Sequence, residues 1–295
     1  MRIVTRPDFD GIVCAALIYD AEAIDQPVKW VEPSEIQKKM VDIQKGDIIA
    51  NLPYHENCAL WFDHHYSNTI KTRFEGSFKI APSAAGLVYR YYQGRLKKNY
   101  HDLIRQTDRI DAADLTLDEV LHPDKYIFVL LSMTISGRQK EDEPYWNLLV
   151  DLICRHDIEA LMANREVAQR CKMVKTVNSE YKIFLEKYTR MEKMVSITDF
   201  RSLDRTPDGN RFLVYSMFPK AVVSVRISYA DKDRQMVAVQ VGHSIFNRRC
   251  NVNVGKMLSR FEGGGHPGAG ACRFHRDKAK HYIPAILEIL LSNNK

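Results

Sequence analysis

The stretch Ala59-Leu60-Trp61-Phe62-Asp63-His64-His65 is an apolar run that ends in one carboxylate and two imidazoles. A short apolar run of this kind predicts a buried strand. In α/β proteins, ligands bind beyond the carboxyl ends of the strands. Carboxylate and imidazole groups at such a strand end are suited to holding a metal ion against a phosphate. Three residues are a weak signal, so the rest of the chain decides what they mean.

Short apolar runs alternate with helical patterns through the first half of the chain. Strands are predicted over residues 2–5, 28–31, 47–52 and 59–62. Helices are predicted from about residue 11 to 24 and from 83 to 94. This alternation predicts a mainly parallel sheet flanked by helices.

The second half of the chain has a different pattern. Residues 159–194 are charged, with apolar residues at three- and four-residue spacing, which predicts an amphipathic helix. Four strands are predicted beyond it, over residues 195–200, 211–218, 221–229 and 235–242. The fold class is therefore α/β in two lobes: an N-terminal parallel-sheet domain over 1–160, a helical connector over 161–194, and a smaller mixed α/β domain over 195–295.

Composition bounds the kind of protein. The chain has 295 residues, of which 45% are hydrophobic and 27% charged, as in soluble globular proteins. The net charge of +6 suits an anionic substrate, but the basic residues are too dispersed to indicate duplex DNA binding. No apolar run approaches the roughly 18 residues that span a bilayer, and no signal-peptide pattern begins the chain. We expect a cytoplasmic protein without membrane contact, whose six scattered cysteines are reduced thiols.

Two further segments carry acidic groups. In Arg6-Pro7-Asp8-Phe9-Asp10-Gly11, two carboxylates follow the first strand and can face one pocket, next to a helix N-terminus that offers N–H groups to an anion. The segment Thr107-Asp108-Arg109-Ile110-Asp111-Ala112-Ala113-Asp114 adds three acids. Taken alone, these three acids are typical of a helix surface.

A glycine-rich segment lies near the end of the chain. Gly263-Gly264-Gly265-His266-Pro267-Gly268-Ala269-Gly270 contains five glycines in eight residues. This density predicts a flexible loop whose accessible N–H groups can cradle a phosphate. The alternative is a tight turn between a helix and the strand over 271–274.

Together these motifs resemble the DHH phosphoesterase family with its DHH-associated C-terminal domain. The resemblance covers nearly the whole chain, in the family's order: Asp-x-Asp-Gly at 8–11, Asn-Leu-Pro at 51–53, Asp-His-His at 63–65, a later aspartate, and Gly-Gly-Gly-His at 263–266. The branch it most resembles contains nanoRNA and pAp phosphatases, cyclic-dinucleotide-product phosphodiesterases and exopolyphosphatase-related proteins. The resemblance implies a DHH domain over 1–160 and a substrate-binding DHH-associated domain over 195–295.

In this family, two divalent cations, usually manganese, activate a water molecule that attacks phosphorus. The resemblance implies Asp8 as a ligand to the first ion. It implies Asp10, His64 and one aspartate of the 108–111 segment as ligands to the second. Asp111 fits the family's pattern better than Asp108, because Ala-Ala-Asp-Leu follows it.

The resemblance also implies roles around the ions. Asp63 would orient His64, and His65 and His266 would contact the phosphate. One arginine of the second lobe, Arg248 or Arg249, would grip the substrate. The implied substrate-binding residues are His65, Arg248, Arg249, Gly263, Gly264, Gly265 and His266.

Two positions depart from the family pattern, and both belong to the first ion. Arg6 stands where the family has a histidine ligand, and Asn51 stands where it has a bridging aspartate. A guanidinium has no lone pair for a cation, and a neutral amide is a poor bridge. Arg6 and Asn51 together contribute a charge of +1, as do a dication, an aspartate and a neutral histidine. We therefore expect one tightly bound manganese or magnesium ion, with Arg6 replacing the other electrostatically.

The leading hypothesis is a metal-dependent phosphoesterase, with Asp8, Asp10, Asp63, His64, His65 and Arg6 as catalytic residues. Its substrate would be a small phosphorylated nucleotide, a short single-stranded RNA or a short polyphosphate. The alternative is a catalytically weakened or inactive member that binds nucleotides. A processive single-strand exonuclease is a third reading, which would need a further oligonucleotide-binding domain. An apolar helix face is compatible with a homodimer, and the oligomeric state is left open.

Overall fold

The computed structural model of the protein describes residues 1–137 and 140–293, so the last two residues of the predicted C-terminal domain lie outside the described part. The chain forms two compact units. The first consists of Met1–Leu115 and Pro123–Lys172, and the second of Thr116–His122 and Met173–Lys295.

The first unit contains a five-stranded sheet in which every neighbouring pair is parallel. Its strands are β1 (Ile3–Thr5), β2 (Lys29–Trp30), β3 (Ile48–Ala50), β4 (Leu60–Asp63) and β5 (Gly76–Phe78), in the spatial order β2-β1-β3-β4-β5. Because parallel strands end at one edge, the segments after β1, β3 and β4 meet there. This is the parallel sheet that the sequence predicts, with β5 as an additional strand.

The second unit contains a six-stranded mixed sheet. Its strands are β6 (Thr189–Glu192), β7 (Val195–Asp199), β8 (Val223–Tyr229), β9 (Met236–His243), β10 (Gly263–His266) and β11 (Ala269–His275), in the order β10-β11-β9-β8-β7-β6. Strands β7 and β8 are parallel, and the other neighbours are antiparallel. The α/β fold class predicted for both lobes is therefore confirmed.

Twelve α-helices are found in the described residues. They are α1 (Phe9–Ala21), α2 (Pro33–Gln37), α3 (Ala84–Tyr91), α4 (His101–Asp111), α5 (Leu117–Leu121), α6 (Ile127–Met133), α7 (Glu143–Arg155), α8 (Ile158–Ala163), α9 (Arg165–Tyr188), α10 (Leu213–Met217), α11 (Val254–Leu258) and α12 (Ala279–Ser292). None of these described helices is long and apolar enough to cross a bilayer.

Helix α1 lies at the centre of the first unit. It is apolar nearly all round, and its residues 9–18 are all buried. Such a helix is stable only inside a core. It packs against β1, α3, α4 and α7. The polar residues at its N-terminus are thereby fixed at the carboxyl edge of the sheet.

Two predicted segments differ from the structure. Residues 211–218 were predicted to be a strand but contain α10, because a short buried apolar run has no periodicity that separates strand from helix. The predicted helix over 159–194 is interrupted after Ala163 and ends at Tyr188. The next four residues form β6, which pairs with β7 through a turn at Lys193, a residue with a left-handed φ of 49°.

The glycine-rich segment is a β-hairpin, so the predicted flexible loop is wrong. Gly263–His266 form β10, which pairs with β11 at the edge of the sheet. Gly265 has a φ of +146°, and a Cβ there would lie 2.4 Å from the Ala269 carbonyl oxygen. A Cβ on Gly255 of α11 would lie 2.2 Å from the Gly265 carbonyl oxygen. The glycines are needed because the hairpin and α11 are in backbone contact.

Candidate functional site

Asp10 is a buried acid at the carboxyl edge of the first sheet, with 1% of its surface exposed. Its Oδ2 and Oδ1 atoms accept hydrogen bonds from the backbone N–H groups of Ala84 and Ala85, at 3.0 and 2.8 Å. These N–H groups begin α3, where the helix dipole favours an anion. The net effect of its surroundings is to raise the pKa of Asp10 to about 6. Burial is the largest cause and raises the pKa, as does the charge of Asp8, whereas His64 and the two N–H groups lower it.

His64 lies between two carboxylates. Its Nε2 atom is 3.7 Å from Asp10 Oδ2 and 3.4 Å from Asp111 Oδ2. Its Nδ1 atom is 3.0 Å from the carbonyl oxygen of Ala81. A carbonyl oxygen only accepts, so Nδ1 carries a hydrogen, and in the neutral imidazole Nε2 then has the free lone pair. Within the described part of the chain, the buried Nε2 atom has no hydrogen-bond partner.

These three side chains fit a divalent cation. One ligand atom from each of Asp10, His64 and Asp111 lies within 4.8 Å of the other two. Ligand distances of about 2.0–2.2 Å allow one ion to reach all three. Two carboxylate oxygens and an imidazole nitrogen suit manganese, magnesium or zinc. The free lone pair of a buried histidine, held in this tautomer by a carbonyl, is the arrangement that metal ligation requires.

Of the two candidate aspartates in α4, the structure brings Asp111 to this cluster and not Asp108. The Oδ1 atom of Asp108 accepts a hydrogen bond of 2.5 Å from the Ser83 hydroxyl group. Ser83 in turn accepts from the Gly86 N–H and is the N-cap of α3. Asp108 therefore holds the helix whose N–H groups bind Asp10.

The hydrogen bonds of Asp63 go to His65 and Asn68, whereas His64 is oriented by the Ala81 carbonyl group. Asp63 Oδ1 lies 2.8 Å from His65 Nδ1, and its Oδ2 accepts 2.6 Å from the Asn68 amide. Burial lowers the pKa of His65, but the hydrogen bond and charge of Asp63, with the charges of Asp10 and Asp8, raise it above its ordinary value. The physical reason is that the backbone stays extended from the end of β4 to His65, which puts residues 63 and 65 on one side of the chain.

Asp8 does not join the cluster of Asp10, His64 and Asp111, and its own surroundings do not fit a second cation. Its Oδ1 atom accepts from the Gly11 N–H and from Asn51 Nδ2, both at 2.9 Å. Its Oδ2 atom lies 3.3 Å from Arg6 NH1. Donor groups therefore face both oxygens, where a metal site would need further acceptors.

The Arg6 guanidinium has a second acidic neighbour that the sequence did not identify. Arg6 Nε lies 3.4 Å from Oε2 of Glu32, the residue that precedes α2. Burial raises the pKa of Glu32, Arg6 opposes this, and the charge of Asp8 adds to it. No motif contains Glu32, because it reaches Arg6 through the pairing of β1 with β2.

In the second unit, the predicted substrate-binding side chains are exposed. Arg248 Nε donates to the Ile245 carbonyl at 3.2 Å, and Arg249 Nε donates to Asn247 Oδ1 at 2.9 Å. His266 ends β10 and is exposed. Because β10 is an edge strand, half of its backbone N–H and C=O groups face away from β11.

Comparisons with known proteins agree with this architecture. A pGpG-specific phosphodiesterase from Vibrio cholerae is 28% identical, with a TM-score of 0.84 over 99% of each chain. A manganese-bound RecJ exonuclease is 13% identical, with a TM-score of 0.58 over 100% of this chain and 90% of that one. RecJ from Thermus thermophilus with Mn²⁺ is 12% identical, with a TM-score of 0.59 over 100% of this chain and 52% of that one. Because their sequence identities are low, both RecJ structures show only the fold.

Comparisons by sequence alone match a smaller part of the chain. The model of an uncharacterised protein family (MYG1_exonuc, UPF0160) matches residues 36–122, which include the Asp-His-His motif. No curated protein matches the sequence. The fold, the order of the motifs and the whole-length likeness to the phosphodiesterase confirm the predicted resemblance to the DHH phosphoesterases.

Proposed function

We propose that the protein hydrolyses a phosphoester bond in a small phosphorylated nucleotide or short oligonucleotide, with one divalent ion held by Asp10, His64 and Asp111. The observation that carries this proposal is the free lone pair of His64 Nε2, which lies 3.4 and 3.7 Å from two carboxylates. A divalent ion there would polarise a phosphoryl oxygen and lower the pKa of a bound water. Manganese and magnesium both suit the donor set.

The neighbouring side chains provide the remaining chemistry. His65 donates through Nδ1 to Asp63, which orients its ring beside the proposed ion. Arg6 supplies a permanent positive charge beside Asp8, which can offset charge that develops on the phosphoryl group. This guanidinium replaces one cation of the two-ion arrangement, so we propose one tightly bound ion per chain.

The substrate class follows from the similarity to the pGpG-specific phosphodiesterase, which extends over the whole chain. A linear dinucleotide is accordingly our first candidate substrate, with short polyphosphate as an alternative. In the second unit, Arg248, Arg249 and His266 are exposed and are proposed to contact phosphate oxygens. Arginine is suited to this role because its planar donors match a phosphate.

The proposal is tested by product release from pGpG, pAp, RNAs of two to five nucleotides and short polyphosphate, each with manganese. Turnover by the wild type that His64→Ala removes is the expected result. His101→Ala, at an exposed histidine on α4, is the matched control and should retain activity. Absence of turnover on every substrate by folded, manganese-loaded protein would refute the enzymatic proposal.

A second candidate function is nucleotide binding without turnover. It is favoured by the contacts of Asp8, whose oxygens face Arg6 and Asn51 rather than a second ion. Asp10→Asn discriminates the two functions. In an enzyme it removes turnover, whereas in a binding protein it changes only the affinity for pGpG, which calorimetry measures.

A further inference from the structure

Arg6 forms ion pairs with two acidic side chains and remains partly exposed. Its NH1 and Nε atoms lie 3.3 and 3.4 Å from Asp8 Oδ2 and Glu32 Oε2. Of the Arg6 side chain, 39% is exposed. A planar guanidinium held in this way presents its remaining N–H groups to an anion in a fixed orientation.

Glu32 is itself fixed. Its backbone N–H donates to Oε2 of Glu35 at 2.8 Å at the start of α2, and Pro33 restricts the first turn. Gly137 lies over the side chain, since a Cβ there would be 3.1 Å from Glu32 Oε1. The carboxylate is thus half-buried, and its exposed fraction of 38% matches that of Arg6.

We propose that Glu32 is a positioning residue, which acts on phosphate through Arg6. This inference rests on the proposed function, because it assigns Arg6 to the substrate's phosphate. An arginine side chain has several rotatable bonds, and binding an anion normally costs their freedom. The Oδ1 atom of Asp8 accepts hydrogen bonds from Gly11 and Asn51, so only Oδ2 faces the guanidinium, at its NH1 atom. Glu32 forms the second ion pair, at the Nε atom, and the two ion pairs together fix the plane of the guanidinium.

The test is a double-mutant cycle with Glu32→Ala and Arg6→Ala, read as kcat/KM on pGpG with manganese. We expect Glu32→Ala to lower kcat/KM by about 10- to 100-fold, the loss of one charge-assisted interaction. In the Arg6→Ala background, Glu32→Ala should alter kcat/KM by less than about twofold, because Glu32 then has no guanidinium to position. Glu32→Asp should restore part of the activity.

A matched control separates positioning from folding. Glu22 and Arg95 form a comparable pair in the same unit, 2.9 Å apart, and Glu22→Ala should leave kcat/KM unchanged. The melting temperature of each variant is measured alongside. Equal losses from Glu32→Ala in both backgrounds, or none in the wild type, would overturn the proposal.

Failure of the proposed function gives a different result. If the wild type shows no turnover, the cycle is read as the dissociation constant for pGpG, measured calorimetrically with manganese. Weaker binding by Glu32→Ala only when Arg6 is present would uphold the positioning role without an enzyme. Unchanged or additive binding would refute it.

Discussion

Restoring the first ion's ligands is the sharpest test of the one-ion arrangement. Arg6→His and Asn51→Asp together would place a histidine and a second carboxylate beside Asp8. Asn51 has a left-handed φ of 56°, a conformation that aspartate also tolerates, so the backbone should accept the change. We expect the double variant to bind two manganese ions per chain where the wild type binds one.

The structure sets the size of the effect. Asn51 Nδ2 lies 2.9 Å from Asp8 Oδ1, and a carboxylate oxygen in its place would repel Asp8 by about 6 kcal/mol at an effective dielectric constant of about 20. Asp8 is 32% exposed, so solvent screening should reduce the measured loss well below this value. A bound ion would offset the repulsion, and free manganese at one hundred times its dissociation constant would add about 2.7 kcal/mol to the free energy of unfolding.

The measurement is metal content by elemental analysis after gel filtration, together with thermal unfolding with and without manganese. The double variant should melt below the wild type without manganese and recover with it. Adding His64→Ala should return the metal content to one ion, located at Asp8. Two ions in the wild type, or one ion in the double variant, would refute the assignment of Arg6 as an electrostatic substitute.

Three further predictions concern single positions. Asp111→Asn should weaken manganese binding by at least about 100-fold in calorimetry, whereas Asp108→Asn should lower the melting temperature and leave metal affinity within about tenfold. Gly265→Ala should destabilise the second unit by at least about 2 kcal/mol in urea unfolding, because its φ is +146°; a wild-type midpoint would contradict this. Burial raises the pKa of Asp199, but the hydrogen bonds from Arg201 outweigh burial, so the pKa lies below its ordinary value. Asp199→Asn should therefore cost about 1 kcal/mol above pH 4, and this difference should vanish as pH falls through the folded pKa; a pH-independent difference would contradict it.

The parallel sheet could be predicted because its signals are local. Each of β1, β3 and β4 is a short apolar run that ends at polar residues, and parallel strands bring such ends together. Asp10, His64 and Asp111 therefore lie in one cluster although they come from three separate segments. The resemblance to a known family named these residues, and the fold explains why they meet.

The partners of the site residues could not be predicted in the same way. Glu32 reaches Arg6 across paired strands, and Asp10 is bound by Ala84 and Ala85, more than seventy positions away. No local pattern contains such long-range contacts. The hydrogen bond between Asp63 and His65 is different, because the two residues are only two positions apart, in extended backbone where β4 ends.

The arrangement of the cluster also explains how one ion can be lost while the other is kept. The orientations of Asp10 and His64 depend on the N-terminus of α3 and on the Ala81 carbonyl group. Arg6 and Asn51 instead make their contacts with Asp8 and Glu32. The two sets of contacts are separate, so we expect an exchange of the first ion's ligands to leave the geometry of Asp10 and His64 unchanged. A charge bound covalently to the chain can then replace a charge that must be recruited from solution.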